Sequence, residues 1–191
     1  MSHQMAVSKE QIITAAIRHL NGSPAASMGQ IAQAAGISRA TLHRHFATRE
    51  DLIIALGWRA HAAWERAQAE AGLEEALGAT DRATLEQALH RLITQHIEVA
   101  EEHGFALTEH LMEVDDGLVR RAHELEEREV VLIEACQRAG VLRSDMSARW
   151  ISNVFFGLLV TVRESLRRGD VARRDVPRLL LETFLRGIHE D

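Results

Sequence analysis

Between Ser27 and Asp51 the chain starts three helices and stops two of them, and this punctuation constrains its fold more than any other feature. SMGQ (27–30) is a capping box, in which a hydroxyl and a side chain three residues on satisfy each other's free backbone amides, and Thr48 with Asp51 in TRED opens a further helix. Between them Ile31, Ala32 and Ala35 mark one inward face, Gly36 sits where a left-handed residue ends a helix, and Ser38 caps RATLHRHF. An earlier helix opens at Ser8 with Gln11 and carries Ile13, Ala16, Ile17 and Leu20 at i, i+3, i+4 and i+7 until NGSP stops it.

Two short helices joined by a glycine turn behind a longer first helix make a helix-turn-helix unit. Ala32, Ala35 and Gly36 let the pair approach closely. In such a unit the second helix enters the DNA major groove. Here that helix directs Leu42 and Phe46 inward, which leaves Arg39, Thr41, His43 and Arg44 outward.

The net charge of −6 argues against nucleic acid until it is divided along the chain. Residues 1–60 hold six cationic against three anionic side chains, +3, and residues 61–191 hold 16 against 25, −9. A basic head on an acidic body is the expected layout.

With 46% apolar residues, two prolines and a wealth of helix formers, an all-α protein of about nine helices is expected. Beyond the head, the expected helices run through DLIIALGWRAHAAWERAQAEA, 83–102, FALTEHLMEV (105–114), 118–139, SARWISNVFFGLLVTVRESLRR, and onward from Pro177. GLEEALGATD is expected as a break. No apolar run is long enough to span a membrane, and MSHQMAVSKEQ lacks a signal-peptide core. Cys136, the sole cysteine, suits a reducing cytoplasm as a buried, inert thiol.

IITAAIRHL followed by IAQAAGISRATLHRHFATREDLI resembles the tetracycline-repressor (TetR) family of bacterial transcription regulators, over about a quarter of the chain. His43 stands where the family usually has tyrosine, and SPAA replaces an aromatic or glycine-rich turn. The resemblance implies a helix-turn-helix DNA-binding domain over 6–66 (motif about 28–47). It also implies a regulatory, effector-binding and dimerisation domain over 67–191. The function implied is a repressor that binds a pseudo-palindromic operator as a homodimer and is released by a small hydrophobic or aromatic effector.

The DNA-contacting set expected is Ser27, Ser38, Arg39, Thr41, His43, Arg44 and Arg49. Ser27 and the amides beyond it suit a phosphate, and the arginines suit phosphate or guanine. The segments that line the family's cavity carry Trp58, His61, Trp64, His96, Phe105, Leu107 and Met112. Gly57, inside the connecting helix, is the expected hinge.

The helix from Trp150 to Val162 exceeds the single apolar stripe of a surface helix. With the last helix it predicts a two-fold interface through Trp150, Ile151, Val154, Phe155, Leu158, Val162, Leu180, Phe184 and Ile188. The bland alternative is that these residues complete the monomer core. Neither cofactor, metal nor catalysis is expected. His96, His103 and His110 recur every seven residues, about 10 Å apart on a helix and too far for one metal. The rival readings are a metal-binding helical protein and a helical protein-interaction module.

Overall fold

The computed structural model describes residues 7–109 and 115–188. Among the described residues there are nine α-helices and no strand: α1 (Lys9–Gly22), α2 (Met28–Ala34), α3 (Arg39–His45), α4 (Arg49–Glu70), α5 (Leu73–Leu77), α6 (Arg82–Glu102), α7 (Asp116–Arg138), α8 (Ala148–Arg168) and α9 (Val176–Ile188).

α2 and α3 have seven residues each, too short to persist alone in water. They hold because both ends are satisfied and each gives its apolar residues to a shared core. Ser27 and Gln30 close their reciprocal box, and Ser38 accepts from the Thr41 amide. Gly36, at φ +67°, lets the Ile37 amide donate back to the Ala32 carbonyl. No heavy atom lies within 4 Å of a Cβ built there, so Gly36→Ala meets only the left-handed backbone penalty. A loss of about 1–2 kcal/mol is expected in urea unfolding, and a neutral result would mean that the turn relaxes freely.

Two cores are packed along the chain. The head core gathers Ile12, Ile17, Leu20, Ile31, Leu42, Phe46, Leu52 and Leu56 from α1–α4, and it also takes Phe105 from the distant end of α6. The body core runs from Ala71 to Phe184 across α5–α9. α4 belongs to both parts. Its first turns lie in the head core, while Ala60, Ala63 and Ala67 are buried further along as it packs on α6 and α7. Gly57 is a buried position within this unbroken helix.

Two expectations need correction. GLEEALGATD is not a plain break, because Gly72 at φ +73° starts the short helix α5. The helix expected over 105–114 is, in its described part, only a 3-10 turn at Gly104–Leu107, and residues 110–114 lie outside the described set. The cause is local. Asn21, at the end of α1, donates to the carbonyls of Glu101 and Glu102 and accepts from the Phe105 amide. This clamp caps α6 and turns Phe105 into the head.

Candidate functional site

On the head, α3 leaves Arg39, His43, Arg44 and His45 exposed, while Leu42 is fully buried beneath them. Several of these polar groups already have a partner. The Ser38 hydroxyl accepts from the Thr41 amide and lies 2.9 Å from Thr41 Oγ1, to which Arg44 donates at 3.3 Å. His43 Nδ1 donates to the Ala47 carbonyl at 3.2 Å. The Ser27 hydroxyl is engaged in capping α2. Arg49 is half-buried, donating to the Pro24 carbonyl at 3.0 Å with Glu109 at 3.7 Å. Lys9 sits over the Phe46 ring, 5.1 Å from its centre.

In the body, α4, α6, α7 and α8 enclose a cavity of about 740 Å³. Of the seven residues expected there, His61, Trp64, His96 and Leu107 are in its wall. Trp58 is not. It is 46% exposed and lies against Gly117, where an added Cβ would come within 3.1 Å of its ring. Phe105 is not either, since the head core takes it, and Met112 lies outside the described residues. The wall also contains His103, Glu126, Glu129, Phe155 and Phe156, which the pattern of the sequence did not single out as cavity residues.

Aromatic rings cross this wall edge to face. Trp64 packs on His61 and His96 with centroids 6.2 and 6.1 Å apart, and His96 packs on Phe155 at 5.6 Å. Beneath them lies a buried ion pair: His96 Nε2 is 2.9 Å from Glu129 Oε1. The same oxygen accepts from Trp64 Nε1 and from Gln68 Nε2. His96 Nδ1 donates to the Leu92 carbonyl at 2.8 Å. Nδ1 is thus hydrogen-bonded, whereas Nε2 lies beside the carboxylate without an aligned hydrogen bond.

Burial alone would push the His96 pKa down, but the Glu129 charge, with hydrogen bonds to Glu129 and Leu92, raises it above its ordinary 6.5. Burial likewise opposes the Glu129 charge, and His96, Gln68 and Trp64 outweigh it, holding the carboxyl below 4.5. His61 and His103 are shifted the other way. Burial lowers both, with Arg121 adding to the effect at His61, so they stay neutral.

These directions set the pH window of the pair. The raised His96 stabilises fully below 6.5, and that share is lost as pH rises through its folded value. The lowered Glu129 stabilises above 4.5, and its share is lost as pH falls through its folded value. The stability gap between the protein and a His96→Gln variant is thus expected to be widest from pH 4.5 to 6.5 and to shrink by pH 9. Urea melts across that range check it, and a gap that ignores pH would mean the pair carries no charge.

The apolar excess of α8 and α9 divides. Ile151, Phe155, Val162, Leu180 and Phe184 are buried within the monomer, so these five are corrected to core residues. Trp150 remains 58% exposed, Leu179 is exposed, and Val154 and Leu158 are half-buried. The side chain of Ile188 lies outside the described set. Cys136 is buried and its thiol is pushed up to about 12, first by desolvation and then by Glu86. Among the described residues, no cluster of His, Cys, Asp or Glu could hold a metal, and no helix is long and apolar enough to cross a membrane.

Residues 8–56 match the family model described as bacterial regulatory proteins, tetR family. The chain is 27% identical over 184 residues to the transcriptional repressor LfrR of Mycolicibacterium smegmatis, covering 94% of this chain and 89% of that protein. It is 28% identical over 183 residues to the transcriptional regulator NfxB of Pseudomonas aeruginosa, covering 93% and 92%. Its fold matches the crystal structure of LfrR from Mycobacterium smegmatis in complex with proflavine at a TM-score of 0.72 and 23% identity, over 96% of this chain and 97% of that one. The head, residues 8–56, is that of the tetR family of bacterial regulatory proteins, and nearly the whole chain is similar to two bacterial transcriptional regulators.

Proposed function

We propose that this protein is a transcriptional repressor that binds a pseudo-palindromic operator as a homodimer and releases it when a small apolar or aromatic molecule occupies the body cavity. The observation that carries the reading is the segment 104–109. Phe105 is built into the core beneath the DNA-reading helix, while Leu107 and Thr108, two and three residues on, line the cavity. A molecule that displaces the cavity wall therefore acts on the head core through a few covalent bonds. LfrR supports the reading by its name as a repressor and by its complex with proflavine.

In this scheme Arg39 and Arg44 read bases or phosphates, and Arg49 and the α2 N-terminus hold the backbone. Exposed Trp150 and Leu179, with Val154 and Leu158, offer the surface on which a second copy packs about a two-fold axis. That pairing sets two heads about 34–36 Å apart, one turn of DNA. The effector must prefer the form in which this spacing is wrong, since equal affinity for both forms shifts nothing. The protein acts in the cytoplasm and performs no catalysis.

Fluorescence anisotropy on the DNA immediately upstream of the protein's own gene tests the head, with a scrambled fragment as competitor at two salt concentrations. Tight binding that resists the competitor is expected. Equally weak binding to both fragments that vanishes with salt would show that only charge is being read, and would sink the operator reading.

A further inference from the structure

A second, smaller cavity of about 350 Å³ lies apart from the one enclosed by the body, where the end of α1 meets the ends of α6 and α8. Its wall is cationic in a part of the chain that is acidic as a whole. Arg163 and Arg167, four apart and so on one face of α8, line it together with Arg173 from the turn that follows. Glu101 is the one carboxylate among its lining residues, which leaves an excess of +2. Glu164 does not cancel that excess. It is shared by Arg163, Arg167 and Arg168 at 2.5, 2.8 and 3.8 Å, so counting Glu164 and Arg168 together leaves the balance at +2. Glu101 is itself taken by Arg173, whose Nε donates to it at 2.6 Å.

Arg163 is the anchor of this wall. Its side chain is only 7% exposed, and Nη1 donates to Glu164, yet Nε is buried with no acceptor. A buried donor left in that state is costly. Nε shares one edge of the guanidinium with Nη2, and that edge can hold an oxyanion through two parallel N–H donors. Gly104 makes room for it. A Cβ there would come within 3.0 Å of Arg163 Cγ and 3.4 Å of its Nε, so a side chain would push the guanidinium aside. Ala100 and Leu166 add apolar wall, and the volume is at the lower end of small-molecule sites, about 300–1,000 Å³.

We propose that this cavity is a second ligand site, which takes the phosphate group of a small phosphate monoester on the Arg163 edge, with Arg167 and Arg173 completing the cradle. A phosphate monoester carries close to two negative charges above pH 7 and so matches the excess, whereas a carboxylate neutralises half of it. The site is placed to act on the joint between head and body. Asn21, which ties α1 to the carbonyls of Glu101 and Glu102, is in the same wall. An occupant therefore braces α1, α6 and α8 against one another. The site does not depend on the regulator reading.

Calorimetry on the full protein at pH 8 and constant chloride tests this with phenyl phosphate, benzoate and benzyl alcohol, which share a ring and differ in charge. Phenyl phosphate is expected to bind about tenfold or more tighter than benzoate, with benzyl alcohol weaker still and inorganic phosphate competing. Binding to the folded form alone should also raise the melting temperature as phenyl phosphate is added. Arg163→Gln should abolish the binding. If that variant does not fold, Arg167→Gln and Arg173→Gln decide, since these side chains are 42% and 76% exposed. The pair together should weaken binding about tenfold or more. Two controls should bind as the unaltered protein does: Arg138→Gln, which removes an exposed arginine of α7, and Phe156→Ala, in the wall of the body cavity.

No binding of phenyl phosphate, or equal binding of benzoate, overturns the proposal. Equal weakening by Arg138→Gln would mean that only overall charge is felt, and overturns it too. Loss on Phe156→Ala with the arginine variants unaffected would place the ligand in the body cavity and overturns the second site. Inorganic phosphate binding with phenyl phosphate excluded overturns the ester as the ligand. Each of these outcomes leaves the regulator reading to the anisotropy experiment.

Discussion

Glu129→Ala is expected to lower the unfolding free energy by about 3–5 kcal/mol, the largest single-residue loss outside the apolar cores. Glu129 is buried, and its Oε1 accepts from a Trp and a Gln and lies 2.9 Å from the His96 ring. Its removal strands an imidazolium between α6 and α7 and leaves two further buried donors without their acceptor. Each unpaired group costs more than the bond it formerly made was worth. The check is the urea midpoint at pH 6, between the ordinary values of the two groups, with the slope of the transition unchanged. A loss below about 1 kcal/mol would mean that burying the carboxylate already cost nearly as much as its partners returned.

Phe105→Ala is the second large effect, and its signature is different. Phe105 is 3% exposed and fills the head core from a segment anchored at the end of α6. Truncating a buried phenylalanine costs about 3–5 kcal/mol, and here the loss falls on the joint between head and body. Operator affinity is expected to drop with it. Effector-induced release is expected to weaken further still, because the wall that the ligand displaces no longer grips the head. The ratio of operator affinities with and without ligand measures this coupling directly. An unchanged ratio in a folded Phe105→Ala protein would remove the segment from the pathway. Asn21 makes the same joint by hydrogen bonds, so it is a natural second position for such a cycle.

The head was legible in the sequence because its signals are local. A capping box spans four residues, a left-handed glycine acts on its own turn, and an apolar face at i, i+3, i+4 and i+7 requires only helix geometry. The all-α character followed from the same short-range rules, as did the exposure of Arg39 and Arg44 opposite buried Leu42. Short-range rules also failed in a consistent way. They expected a helix through 105–114, where a side chain 84 positions earlier in sequence takes the Phe105 amide. The family resemblance placed Phe105 and Trp58 in the cavity, but the head core holds the first and the second is half-exposed against Gly117.

The body is where sequence alone fell short. Glu129 reads as one more acidic residue in HELEEREVV, on a helix rich in charge. Its burial depends on α4, α6 and α7 arriving together, and nothing within a few residues of it announces that. The apolar surplus of α8 was visible, but period alone could not divide its residues between the core and an open face. The sequence by itself determined the caps, most of the helices and the basic exposed face of α3, since each depends on neighbours within one or two turns. Only the tertiary structure decided the cavity, the His96–Glu129 pair and the joint at Phe105, because each arises where helices distant in sequence exclude water together.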